Sequence, residues 1–93
     1  MFSIIIERRA RDYLKSLPHK SRRIIVEKIL ELEKDPFPGG NKEQLNFPDP
    51  PVIYRLHVGR SFTVFYLIDH EAEQVKIEKI MTIGKAHKEY VRR

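Results

Sequence analysis

The sequence predicts an α+β domain: an N-terminal strand and a helical hairpin packed on an antiparallel β-meander. Three observations predict it. A short β-branched run near the N-terminus is followed by two amphipathic helical segments. The segment 35–51 then holds five of the six prolines. Beyond it come three runs rich in β-branched and aromatic residues, separated by short turns.

The elements follow in chain order. Ser3–Glu7, SIIIE, is short, β-branched and bounded by charge, which reads as a strand. Ala10, Tyr13, Leu14 and Leu17 then fall at i, i+3, i+4 and i+7, one face of a helix, with Arg8, Arg9, Arg11, Asp12 and Lys15 on the other. Pro18 interrupts, and Ser21 is a suitable cap for a second helix over Ser21–Lys34. Ile25, Ile29 and Leu32 form its apolar stripe, with Val26 and Leu30 beside it. So short a link makes the two helices a hairpin. Asp35-Pro36 ends the second one, because the residue before proline is pushed out of the α region.

The proline-rich stretch exceeds the usual connection of a few residues. It is expected to be an ordered surface loop with a turn near Lys42–Leu45, pinned to the core by Leu45 and Phe47. Strands are expected at Val52–Val58, Phe62–Ile68 and Gln74–Met81, joined by the turns GRS and DHEAE. In the middle one, Phe62, Val64, Tyr66 and Ile68 face one way, and Thr63, Phe65 and Leu67 the other. A strand apolar on both faces belongs in the centre of a sheet. The basic tail GKAHKEYVRR follows Ile83. Residues 1–93 read as one domain whose helices cover one sheet face and leave the other partly open.

A chain of 93 residues buries only roughly 60–65% of its unfolded surface, which favours a shallow site for a large partner over a deep private pocket. There is no cysteine, which removes a thiolate nucleophile and a disulfide framework and fits a cytoplasmic location. No span is long enough for a membrane helix, and the early apolar run Phe2–Ile6 is broken at once by ERRARD, unlike a signal peptide. With 18 Lys and Arg against 13 Asp and Glu, the net charge of +5 favours a polyanionic partner such as nucleic acid, a ribonucleoprotein or an acidic protein.

Strand alternation places Tyr54, Leu56 and Val58 on one side and Arg55 and His57 on the other. If the apolar set meets the helices, Arg55 and His57 project from the open face. Arg60 stands in the turn beyond, and Lys85, His87, Lys88 and Tyr90 come just after the last strand, within reach of the same region. Such a set suits RNA cleavage without a metal. Histidine, with an ordinary pKa near 6.5, can take the proton of a 2′-hydroxyl. Arginine can hold a phosphate on two oxygens as charge builds there. An aromatic ring can stack an unpaired base. The histidines at 19, 57, 70 and 87 are scattered and show no metal-ligand spacing, so no metal or other cofactor is expected. The bland alternative is a solvated sheet face and a charged tail.

Nearly the whole chain resembles the RelE/ParE toxin superfamily. The resemblance rests on the order of elements, on LEKDPFPGG followed by QL, on YRLHVGRSFTVFY, and on IGKAHKEY. For the RelE branch it implies a ribosome-dependent, metal-independent mRNA endonuclease that acts by 2′-hydroxyl attack, with the ribosome, mRNA and a cognate antitoxin as partners and a hetero-oligomer with the antitoxin. For the ParE branch it implies inhibition of DNA gyrase by binding. Position by position, Arg55 matches the first basic residue of the family's hairpin, and His57 stands where a second is common. Lys85, His87 and Tyr90 fall in the closing segment, and Arg60, Lys88, Arg92 and Arg93 extend the basic surface. Thr63 and Ala86 stand where the nuclease branch usually has arginine. The first reading is therefore an mRNA interferase. The second is a ParE-like toxin, and the third a degenerate toxin that only binds its antitoxin.

Overall fold

The computed structural model describes the backbone of residues 1–90 and the side chains of residues 1–88. The order of elements is β1 (Ser3–Ile6), α1 (Arg8–Ser16), α2 (His19–Leu30), β2 (Lys42–Gln44), β3 (Tyr54–Val58), β4 (Phe62–Asp69), β5 (Gln74–Thr82) and α3 (Ile83–Tyr90). A 3-10 turn, Glu31–Glu33, closes α2. The five strands form one mixed sheet in the order β1-β5-β4-β3-β2. The expected meander of β3, β4 and β5 is present, and the fold is α+β.

Three local features differ from the sequence expectation. The helical hairpin holds, but α2 starts at His19 rather than at Ser21, with Pro18 as its extended leading residue and the Arg22 N–H reaching the Pro18 carbonyl at 3.0 Å. A proline with pre-set φ starts a helix without a side-chain cap. Lys42–Gln44 is a strand, not a turn, paired antiparallel with β3. The triplet KEQ carries no β-branched or aromatic residue, so its pairing comes from the backbone of its neighbour. The tail after Thr82 is helical, although its only early apolar residues, Ile83 and Ala86, make a weak pattern.

β1 lies parallel to β5, with Ile4 opposite Val75 and Ile6 opposite Ile77. The main core lies between the sheet and α1/α2. It unites Ala10 and Leu14 of α1 with Ile25 and Ile29 of α2, Tyr54, Leu56 and Val58 of β3, Val64 and Tyr66 of β4, and Val75, Ile77 and Ile80 of β5. Ile77 and Ile80 reach the same face three positions apart because β5 bulges there: Phe65 pairs with Lys79 but Tyr66 pairs with Ile77, leaving Glu78 as the extra residue. Each fully buried Ile of this set stabilises the fold by about 1.5–3 kcal/mol relative to an exposed one. Tyr66, fully buried, donates its hydroxyl to the Pro36 carbonyl at 2.7 Å and thereby ties the start of the proline-rich segment to the sheet.

On the opposite face, Phe65 of β4, Met81 of β5 and Ala86 of α3 form a second, smaller cluster, with Leu45 and Ile53 packed against it. The first turns of α3 therefore cover part of the face that the hairpin leaves open. Among the described residues, no helix is long and apolar enough to cross a membrane.

Candidate functional site

Alternation along β3 sends Tyr54, Leu56 and Val58 into the main core and Arg55 and His57 to the other face, as expected. Their Cα atoms are separated by roughly 7 Å, two strand residues. The pairings of β3, β4 and β5 set their neighbours. One row across the sheet is Glu43, Arg55, Phe65 and Lys79; the next is His57, Thr63 and Met81.

Arg55 is one-fifth exposed and makes an ion pair with Glu43 through its Nη2. Its Nε is buried without a hydrogen-bond partner among the described residues. His57 is half-buried, and its N–H donates to the Asn41 carbonyl at 2.9 Å. The next residue in its row, Thr63, is fully buried, with its hydroxyl oxygen unpartnered among the described residues. Arg60 is exposed in the turn that Gly59 makes with φ +59°. The Ile83 N–H bonds to the Ser61 carbonyl at 2.9 Å, so this turn and the start of α3 meet at one end of the sheet.

Lys85 takes a different direction. It lines a cleft of about 460 Å³ with Arg9 and Tyr13 of α1 and residues Lys79 to Thr82 of β5. β1 ends opposite Ile77, so beyond that point β5 has no strand on its outer side among the described residues. Arg55 stands on β3, two strands from β5 in the sheet order. The packed trio of Phe65, Met81 and Ala86 lies between. Arg55 and His57 thus project from the sheet face that α3 partly covers, Arg55 against Glu43, while Lys85 lines the cleft at the β5 edge. His87 and Lys88 are exposed on α3. Tyr90 closes α3, and its side chain lies outside the described residues, as do Arg92 and Arg93.

Thr63 and Ala86, the two positions where the sequence resemblance anticipates arginine, are both buried. The arginines are absent, and the space around each position is filled. Sequence reasoning missed Glu43, which lies in a segment without periodicity, and it assigned Arg9 and Tyr13 only to helix faces. The signal for Glu43 would have been its register opposite Arg55, which depends on β2 being a strand.

No family model matches the chain, and no curated protein does. Solved structures do. The archaeal RelE of the RelE–RelB complex from Pyrococcus horikoshii superposes with a TM-score of 0.76 at 25% identity, covering 91% of this chain and 98% of that one. The toxin–antitoxin complex RelBE2 of Mycobacterium tuberculosis gives 0.75 at 21%, covering 87% and 96%. The isolated RelE toxin of E. coli gives 0.72 at 17%, covering 100% and 98%. With its mixed five-stranded sheet and three helices, the chain has the fold of the RelE toxins.

Proposed function

We propose that the chain is the toxin of a type II toxin–antitoxin pair and a RelE-like endoribonuclease that cuts mRNA on the ribosome. The observation that carries this reading is its near end-to-end overlap, at 25% identity, with a RelE from a RelE–RelB complex. A RelB-like antitoxin in hetero-oligomer with the toxin, the ribosome and mRNA are then the partners, in the cytoplasm. The three similar structures named above are RelE toxins or their complexes with antitoxin, and this favours the nuclease branch over a ParE-like gyrase inhibitor.

In this reading the reaction is attack of the 2′-hydroxyl on the adjacent phosphorus, which leaves a 2′,3′-cyclic phosphate and a 5′-hydroxyl. Arg55 holds the phosphate oxygens as charge accumulates on them. His57 or His87 removes the 2′-hydroxyl proton, and a second group returns a proton to the 5′-oxygen. Lys85 binds a neighbouring phosphate, and Tyr90 stacks or positions the base. Arg60, Lys88, Arg92 and Arg93 guide the RNA backbone.

A second reading, a toxin that retains antitoxin binding without cleavage, is favoured by one observation: Thr63 and Ala86 are buried where arginines would be needed. Primer extension on mRNA from a translating extract decides between the two. Ribosome-dependent cuts within codons support the nuclease, and intact mRNA supports the binding-only toxin. Arg55→Ala is expected to abolish the cuts while leaving the circular dichroism spectrum unchanged; undiminished cleavage would remove Arg55 from the site.

A further inference from the structure

We propose that Glu43 is an internal competitor for the phosphate site at Arg55, so that RNA must displace this carboxylate to engage the guanidinium. The inference rests on the reading of Arg55 as a phosphate-binding residue.

The contact is built by backbone register. Asn41 and His57 exchange two bonds: the His57 N–H donates to the Asn41 carbonyl at 2.9 Å, and Asn41 Nδ2 donates to the His57 carbonyl at 3.2 Å. Lys42 pairs with Leu56, Glu43 with Arg55 and Gln44 with Tyr54. The Leu45 N–H then donates to the Ile53 carbonyl at 2.8 Å. Upstream, Lys42 Nζ reaches the Asp35 carbonyl at 2.7 Å and its carboxylate at 3.5 Å. A continuous ladder thus holds the Glu43 carboxylate directly across from the guanidinium.

The two partners differ in their access to water. The Arg55 side chain is 20% exposed, and that of Glu43 is 47% exposed. The guanidinium has little solvent of its own, so it keeps an anion. The carboxylate can swing into water at small cost. Carboxylate and phosphate present the same paired oxygens to an arginine fork. Nη2 is engaged by Glu43 and Nε has no partner among the described residues, so a two-oxygen phosphate replaces one contact with two. The exchange is a change of partner on one fork, with no bond made or broken covalently.

The test is fluorescence anisotropy of a labelled 2′-O-methyl single-stranded RNA hexamer, which cannot be cleaved, against the full chain. Glu43→Gln is expected to tighten binding roughly threefold to fivefold, the size of a partly exposed ion pair. Glu71→Gln removes an equal charge from the exposed β4–β5 turn at the far end of the sheet and measures the long-range contribution, to be subtracted. Glu43→Asp leaves the net charge unchanged and is expected to tighten binding less, in the same direction; it carries the test if the glutamine variant does not fold. In an Arg55→Gln background the Glu43 effect is expected to vanish. If Glu43→Gln matches Glu71→Gln, or weakens binding, while Arg55→Gln still weakens it, the competitor is overturned and the site at Arg55 stands. If Arg55→Gln leaves binding unchanged, the site at Arg55 is overturned and the inference with it.

Discussion

On the face covered by α1 and α2, strands β3 and β4 contribute Tyr54, Leu56, Val58, Val64 and Tyr66, all buried and all joined to one core. On the other face the same two strands contribute Arg55, His57, Thr63 and Phe65, a guanidinium and an imidazole beside a buried hydroxyl and one aromatic ring. The first face is closed by two helices whose apolar stripes match it. The second is closed by the first turns of a short basic helix together with Leu45 and Ile53, and it holds Arg55 Nε and the Thr63 hydroxyl, buried without a partner among the described residues. The difference teaches where stability and reactivity reside. The hairpin face holds the larger core, and the α3 face leaves a guanidinium nitrogen and a hydroxyl without partners among the described residues.

The sharpest way to break this comparison is to cut into each core in turn. Ile29→Ala removes a fully buried side chain from the hairpin face and is expected to cost about 2–5 kcal/mol, read as a loss in denaturant midpoint. Met81→Ala on the α3 face is expected to cost about 2 kcal/mol, because a cluster of three buried residues collapses more easily around the gap. Hydrogen exchange sharpens the same contrast. In the Met81→Ala protein the α3 amides are expected to exchange faster while those of β4 and β5 keep their protection. Equal losses at the two sites, or uniform acceleration, would abolish the distinction.

Tyr66→Phe leaves the Pro36 carbonyl without its donor and is expected to cost about 1–2 kcal/mol. It also carries a pH signature. Burial first, then the nearby Tyr54 and Asp35, raises the Tyr66 hydroxyl well above its ordinary value of 10.0. The protonated form is the one the fold favours, so its contribution is fully present below pH about 10 and is lost as pH rises beyond that. Above pH 10 the parent protein is expected to lose stability more steeply than Tyr66→Phe, as checked by urea unfolding across pH 9–11. Thr63→Val is the smallest effect and has the opposite sign. It replaces a buried hydroxyl without a partner among the described residues and is expected to be neutral or to stabilise by up to about 1 kcal/mol in the same measurement.

How far the sequence could be read differed from element to element. The hairpin and the three long strands were legible because their apolar residues repeat at 3.6 or 2.0 positions and are bounded by proline, glycine and charge. The placing of Arg55 and His57 away from the hairpin followed from the same alternation. β2 was not legible, because Lys42, Glu43 and Gln44 carry no apolar pattern from which a strand could be read. The bulge at Glu78 was not legible either, since a single extra residue emerges only when β5 is laid against β4. The convergence of Lys85 with Arg55 was an expectation from chain proximity. The structure buries Ala86 on Phe65 and Met81 and sets Lys85 in the cleft with Arg9 and Tyr13.

The sequence by itself determined the elements of this protein, the α+β class and the side of β3 from which its cation and imidazole emerge. Each of these depends on periodicity along a single segment, where the nearest neighbours in space are also near in the chain. Only the tertiary structure decided what those side chains meet: the carboxylate of Glu43 from a strand twelve residues upstream, the filled space at Thr63 and Ala86, and the cleft that Lys85 shares with Arg9 and Tyr13. Those are meetings between segments brought together by a shared sheet and a shared core. Their register follows from backbone pairing and packing, which no local pattern encodes.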